Sequence, residues 1–353
     1  VHLTETRSKT LPHGAGPVAR RRGGPLLLGL FGLAVLLVAA IGLSLAVGSG
    51  QVPLGDVLSG LFHPDRTQRA QLIVREVRIP RTAAGVLAGV ALGLAGTVMQ
   101  GVARNPLADP GLLGVNAGAS VFVVFAISVL TLTEPRQYIW FGFLGACLAA
   151  VLVYGIGSLG REGATPVKLA LSGAAVAAAL GALTSAMLLT DSRTFDQFRF
   201  WQVGSLSGRE SGVLWQALPF IAVGCVLALA LGPQLNTLAL GDDTARGLGQ
   251  RIALARLGAA ACVVLLCGAA TVVAGPIAFV GLAVPHAARL ITGPDYRWIL
   301  PYSALLAPAA LLLADVIGRL IARPGEVQVG VMTAALGATP FILLVRRRNV
   351  VDL

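Results

Sequence analysis

Lysine is almost missing from this sequence. Lys9 and Lys168 are the only two among 27 basic residues. Neither lies in a G-x-x-x-x-G-K-[ST] run, so the chain does not bind ATP through a phosphate-binding loop. Charge of either sign is scarce, at 12% of residues, where a soluble domain carries roughly 25%. Of four histidines only His286, in Val284-Pro285-His286, lies near an apolar segment. It has no Asp, Glu or Cys at ligand or triad spacing, so it reads as a loop or helix-end residue rather than a catalyst or metal ligand. Cys147, Cys225, Cys262 and Cys267 all fall in apolar segments. Without metal-ligand spacing they read as small buried residues. The alternating strands of a membrane barrel are absent too. A membrane protease or metalloenzyme therefore has little support.

What the chain does have is apolar length. Of 353 residues, 56% are hydrophobic, and mean hydropathy is +0.80. Runs of about 17 to 25 apolar residues read as transmembrane helices. Ten are expected, near 26–47, 82–101, 112–132, 138–159, 168–190, 213–232, 255–273, 276–292, 299–317 and 328–345. The fold class is an all-α integral membrane protein. It divides into a basic tail (1–25), a transmembrane domain (26–348) and a short C-terminal tail (349–353). The first run is too long for a signal-peptide core and reads as a retained span. Arg20, Arg21 and Arg22 precede it and would anchor the N-terminus inside. Both termini then lie inside, with 16 of the 27 basic residues inside and 11 outside. The net charge of +11 is explained by this bias rather than by nucleic acid, whose grooves interleave aromatics with basic residues. The excess of arginine outside is what the bias does not explain.

The loops carry structure of their own. Residues 48–77 could hold an amphipathic helix. Residues 191–212, with Phe195, Phe198, Phe200 and Trp201, read as interfacial. Gly241 to Arg246 reads as a helix start with acids at the positive end of the dipole. No internal repeat stands out.

One stretch, Arg78 to Ser120, organises the rest. Arg78 and Arg81 flank Pro80 at the expected start of a Gly/Ala-rich helix, where the dipole disfavours a cation. Two readings stay open: snorkelling anchors, or a cationic site that docks acidic groups of an external partner. The helix closes in Arg104-Asn105-Pro106-Leu107-Ala108-Asp109-Pro110. This is either an ordinary turn or a constriction at the inner mouth of a pathway. Asp315, four residues before Arg319, reads as a local ion pair. A coupling carboxylate in mid-membrane is not apparent, which points to energy supplied by another protein.

Arg78–Ser120 resembles the signature region of the FecCD/BtuC family of ABC-importer permeases. Leu238–Gly249, Gly275–His286, Leu313–Arg319 and Gly330–Phe341 agree with it, in family order. The resemblance implies a type II importer permease with ten transmembrane helices per subunit, not itself an enzyme. It implies ferric siderophore as cargo, with haem and cobalamin as alternatives. It implies a bacterial plasma-membrane location, a second permease chain and two ATPase subunits, which use ATP and magnesium while this chain binds no cofactor. A periplasmic or lipid-tethered binding protein would deliver the cargo. Family arginines that grip that protein match Arg78, Arg81 and Arg319. The gate hairpin matches Asn105, Pro106 and Leu107. The ATPase-coupling segment matches Gly241, Asp242, Ala245, Arg246, Leu248 and Gly249. The competing class is an ion-coupled secondary transporter, for which a broken helix at Gly275-Pro276 would be suited.

Overall fold

The structure is a computed structural model. It describes residues 23–48, 50, 52–62, 67–159 and 165–347. The basic tail up to residue 22 and the tail from 349 lie outside the described residues.

All regular structure among the described residues is helical. The elements are α1 (Gly23–Ala46), α2 (Leu54–Phe62), α3 (Arg69–Ile73), a π-turn (Val74–Arg78) and α4 (Ile79–Ala103). A 3₁₀ turn (Pro110–Leu113) leads into α5 (Val115–Ser128), α6 (Pro135–Gly157), α7 (Pro166–Thr190), α8 (Ser192–Gln202) and α9 (Ser211–Ala230). Then come α10 (Gly232–Ala239), α11 (Asp242–Gly247), α12 (Ile252–Ala274), α13 (Val280–Thr292), α14 (Tyr296–Ile321) and α15 (Val329–Arg347). Seven described helices are long and apolar enough to cross a membrane. Each of the ten expected spans corresponds to a described helix, the other three being α5, α13 and α15, which fall below that criterion, so the architecture fits a count near ten. The protein is a multi-pass membrane protein.

Helix α4 is the axis of the bundle. It packs against α14, α12 and α13, and most of its length is buried. Its small residues make this possible. A β-carbon at Gly96 would lie 1.9 Å from the carbonyl oxygen of Gly281, and one at Gly89 2.3 Å from Cα of Pro308. Backbones this close need glycine, and dispersion across such contacts replaces the hydrophobic drive that lipid cannot supply. The Thr97 hydroxyl meets the Ser303 hydroxyl at 2.9 Å and adds a polar tie between α4 and α14. Helices α5 and α6 make a second close pair through Gly118 and Gly145.

One expectation is corrected here. Arg78 and Arg81 do not stand at a helix start. The helical path runs on from Arg69 to Ala103, with Pro80 inside it. Proline removes one ladder hydrogen bond and crowds the preceding turn. The π-turn at Val74–Arg78 widens the path just ahead of Pro80, with Ile79 N donating to Val74 O, and so makes room for the ring. The amphipathic helix expected in 48–77 is α2, with α3 following it. In α8, Phe198 and Trp201 are buried while Phe195 and Phe200 are exposed.

Candidate functional site

Polar side chains gather at the two ends of the bundle. At one end α1 stops, leaving the carbonyls of its last turn without helical partners. Three arginines fill the gap. Arg78 donates to Leu45 O and Ala46 O, both at 2.7 Å, and to Gly50 O at 3.0 Å. Arg319 donates to the carbonyls of Ser44 and Val47 and to Ser44 Oγ. Arg323 donates to Gly48 O at 3.1 Å. Cations belong at this negative end of a helix dipole.

Arg81 faces the other way. Its Nε and Nη2 straddle the Asp315 carboxylate at 3.0 and 2.7 Å, and its Nη1 reaches Glu326. Asp315 also takes Arg319 Nη2 at 2.9 Å, one helical turn on, as the i,i+4 spacing foretold. Arg78, Arg81 and Arg319 are 4%, 6% and 2% exposed, and Asp315 is fully buried.

The three arginines matched to docking are thus brought together, yet most of their donors are committed within the chain; Arg319 Nε is buried without a hydrogen-bond partner among the described residues. Apart from Asp315, which the i,i+4 spacing pairs with Arg319, their partners lie about 30 to 275 residues away, so no local pattern announces them. Glu326, on the turn between α14 and α15, is the partly exposed member of the cluster.

The opposite end holds the hairpin. Arg104 takes a left-handed conformation and ends α4. Asn105 Oδ1 accepts from Leu107 N at 2.8 Å and Asn105 O from Ala108 N at 3.0 Å, so the chain reverses in a side-chain-braced turn. Asn105 and Leu107 are exposed. Asp109 caps the 3₁₀ turn through Gly111 N at 2.7 Å. The returning chain then tucks into the bundle. Asp109, Asn116 and Thr271 line a cavity of about 20 Å³ beside Leu92, midway along α4. That Asp109 returns to lie beside the middle of α4 was not apparent from the sequence.

Residues 241–249 form α11 and its flanks. Gly241, at φ +100°, turns the chain into the helix, and Asp242 and Asp243 occupy the first turn, as the sequence predicts. Asp243 pairs with Arg246 at 2.9 Å, and Ala245 is the buried anchor of this short helix. Leu248 is exposed and Gly249 turns the chain at φ +82°. Asp242 carries the informative contacts. It receives Arg104 Nη2 at 3.0 Å and Arg256 Nη2 at 2.9 Å. One carboxylate thereby ties α11 both to the hairpin and to the first turns of α12. Arg104 and Arg256 are functional candidates that sequence reasoning did not single out. Arg256 gave a signal: it is a charge in an otherwise apolar helix. A cavity of about 290 Å³ opens beside this tie, among Met99, Asn105, Leu113, Tyr154, Leu169 and Arg256. A second, of about 560 Å³, lies between α5, α7 and α8, with Asn116, Ser120, Ser185 and Gln202 on its walls and no charged side chain among the described residues lining it.

Residues 36–347 match the family model described as the FecCD transport family. The chain belongs to that family. It is 46% identical over 318 residues to the ferric enterobactin transport system permease protein FepD of Escherichia coli, covering 90% of this chain and 95% of that one. It is 44% identical over 276 residues to a siderophore transport system permease protein of Bacillus subtilis, YfiZ, described as probable, covering 78% and 83%. Among solved structures it is similar to one described as an inward-facing conformation of a metal-chelate type ABC transporter. There the TM-score is 0.79 at 25% identity, over 92% of this chain and all of the other.

Proposed function

We propose that the chain is the membrane-spanning permease subunit of an ATP-driven importer for ferric siderophores. The observation that carries the mechanism is Asp242, held at once by Arg104 and Arg256. A force applied to α11 reaches Arg104 through one carboxylate, and Arg104 is bonded directly to the gate hairpin Asn105–Leu107. Partner ATPase subunits, which bind and hydrolyse ATP with magnesium, press on residues 241–249. The hairpin at the inner mouth responds. The 290 Å³ cavity beside it then opens toward the cytoplasm, and the neutral 560 Å³ cavity forms part of the wall that the chelate passes. Neutral walls hold cargo weakly enough to release it.

In this reading both termini and residues 241–249 face the cytoplasm of a bacterial cell, and the arginine cluster faces outward. A substrate-binding protein docks there. Its carboxylates reach Arg78, Arg81 and Arg319 only by exchanging with the internal partners, and Glu326 is the partner most open to exchange. A second permease chain, alike or similar, completes the pathway. The cargo follows the relatives named for siderophores and ferric enterobactin.

The half-buried Asp109, beside the middle of α4, favours a second reading, an ion-coupled carrier, because carboxylates within the membrane often serve coupling. Its bond to Gly111 N gives it a structural role instead. Reconstituted vesicles separate the two. With ATPase and binding protein added, uptake of ferric siderophore should require ATP and persist when ion gradients are collapsed. Uptake that follows the gradient and ignores ATP would overturn the proposal.

A further inference from the structure

A cleft of about 530 Å³ lies at the arginine-cluster end, between α1, α4 and α9, and neither the gate nor the coupling segment touches it. Its walls are almost wholly apolar, formed by residues such as Leu45, Val86, Leu87 and Leu218. Two side chains at its rim are different. Arg75, on the π-turn, is exposed and has no hydrogen bond or ion pair among the described residues. Trp215, on the first turns of α9, is 72% exposed and its indole N–H has no partner among them either.

We infer that this cleft is a binding site for one phospholipid with an anionic headgroup. Three observations converge on that occupant. The walls belong to helices that cross the bilayer, so hydrocarbon surrounds the cleft. From Arg75 to Leu87 the helical path rises about 18 Å at 1.5 Å per residue, close to one leaflet, which is half of a core about 30 Å thick. Arg75, the one cation among the described residues lining the cleft, stands at one end of that path, where a phosphate would sit, and tryptophan sits beside it, as at membrane interfaces. An acyl chain along α4 and a phosphate on Arg75 satisfy the apolar wall and the charge together. Arg75 is released to this face because Arg78, three residues on, is drawn inward to the end of α1.

The test is native mass spectrometry of the full chain in detergent, titrated with dioleoyl phosphatidylglycerol and, separately, dioleoyl phosphatidylcholine. One arginine near a membrane surface contributes about 1 kcal/mol, so one phosphatidylglycerol should bind about fivefold tighter than phosphatidylcholine. Arg75→Gln, an exposed position that leaves the fold intact, should bring the two lipids level. Ala83→Phe, which fills the cleft, should weaken both. An unchanged preference in Arg75→Gln would overturn the inference. So would displacement of phosphatidylglycerol by glycerol phosphate at equal concentration, which would mark an anion site without chain binding. Cross-linking between Trp215→Cys chains that the lipid does not suppress would overturn it too, in favour of a second copy in the cleft. None of these readouts depends on transport, so the inference stands or falls apart from the importer reading.

Discussion

Replacing Asp315 with asparagine tests the arginine cluster directly. The carboxylate is fully buried and joins Arg81 and Arg319. Removing one partner from a buried ion pair costs about 3–5 kcal/mol, because the remaining charge is left in a medium that cannot solvate it. Both arginines keep other partners, Glu326 for Arg81 and the α1 carbonyls for Arg319, so the cost should fall at the lower end, about 3 kcal/mol. The assay is unfolding of the purified chain in mixed micelles of mild detergent and dodecyl sulfate, followed by circular dichroism. Arg81→Met alone should be similarly destabilising. The Arg81→Met/Asp315→Leu double variant should cost clearly less than the two single changes added together, since it removes the charges as a pair. Arg81→Glu would place a third carboxylate beside two and should fail in folding before docking can be measured. An Asp315→Asn chain within about 1 kcal/mol of wild type, or strict additivity in the double variant, would refute the view that these charges hold the end of the bundle together.

Other outcomes follow from the same contacts. Asp242→Asn removes the charge that ties α11 to the hairpin and to α12. Part-exposed pairs are worth little to stability, so the variant should fold, while transport per ATP hydrolysed should fall about tenfold, a change of about 1.4 kcal/mol. Reconstituted vesicles measure both quantities. Gly96→Leu forces α4 away from α13, where a β-carbon already meets Gly281 O at 1.9 Å. It should destabilise the chain by at least about 3 kcal/mol, the upper end of ordinary overpacking, seen as loss of monodisperse protein on size exclusion. Asp191 caps α8, and its hydrogen bond from the Thr194 hydroxyl holds its carboxyl below the usual range. A carboxyl depressed in the folded state stabilises above its unfolded value, and that stabilisation is lost as pH falls through the folded value. Local protection of α8 against amide exchange should therefore drop on acidification below the ordinary carboxylate range, and Asp191→Asn should flatten that dependence.

The spans were legible because lipid demands long apolar runs with internally satisfied backbones. The helix start at Asp242 was legible because acids at a first turn are a local signal. The Asn105–Pro110 turn was legible for the same reason. Three features were not. The helix through Pro80 depends on a π-turn, which has no sequence signature of its own. The burial of Arg78 and Arg319 depends on where α1 ends, and that of Arg81 on Asp315 and Glu326 far along the chain, both matters of tertiary packing. Asp109 was read in a surface hairpin, and only the return of that hairpin into the bundle shows its depth. In each case the deciding partner lies far along the chain or in backbone geometry that many sequences share.

The most direct measurement is uptake of radiolabelled iron as ferric siderophore by iron-starved cells with and without this chain, with labelled haem and cobalamin in parallel. The account predicts that ferric-siderophore uptake alone fails without the chain and returns when it is restored, and that the Asp242→Asn chain restores little of it. Unchanged iron uptake together with loss of haem or cobalamin uptake would contradict the cargo. Full restoration by Asp242→Asn would contradict the route by which the ATPase is held to open the hairpin.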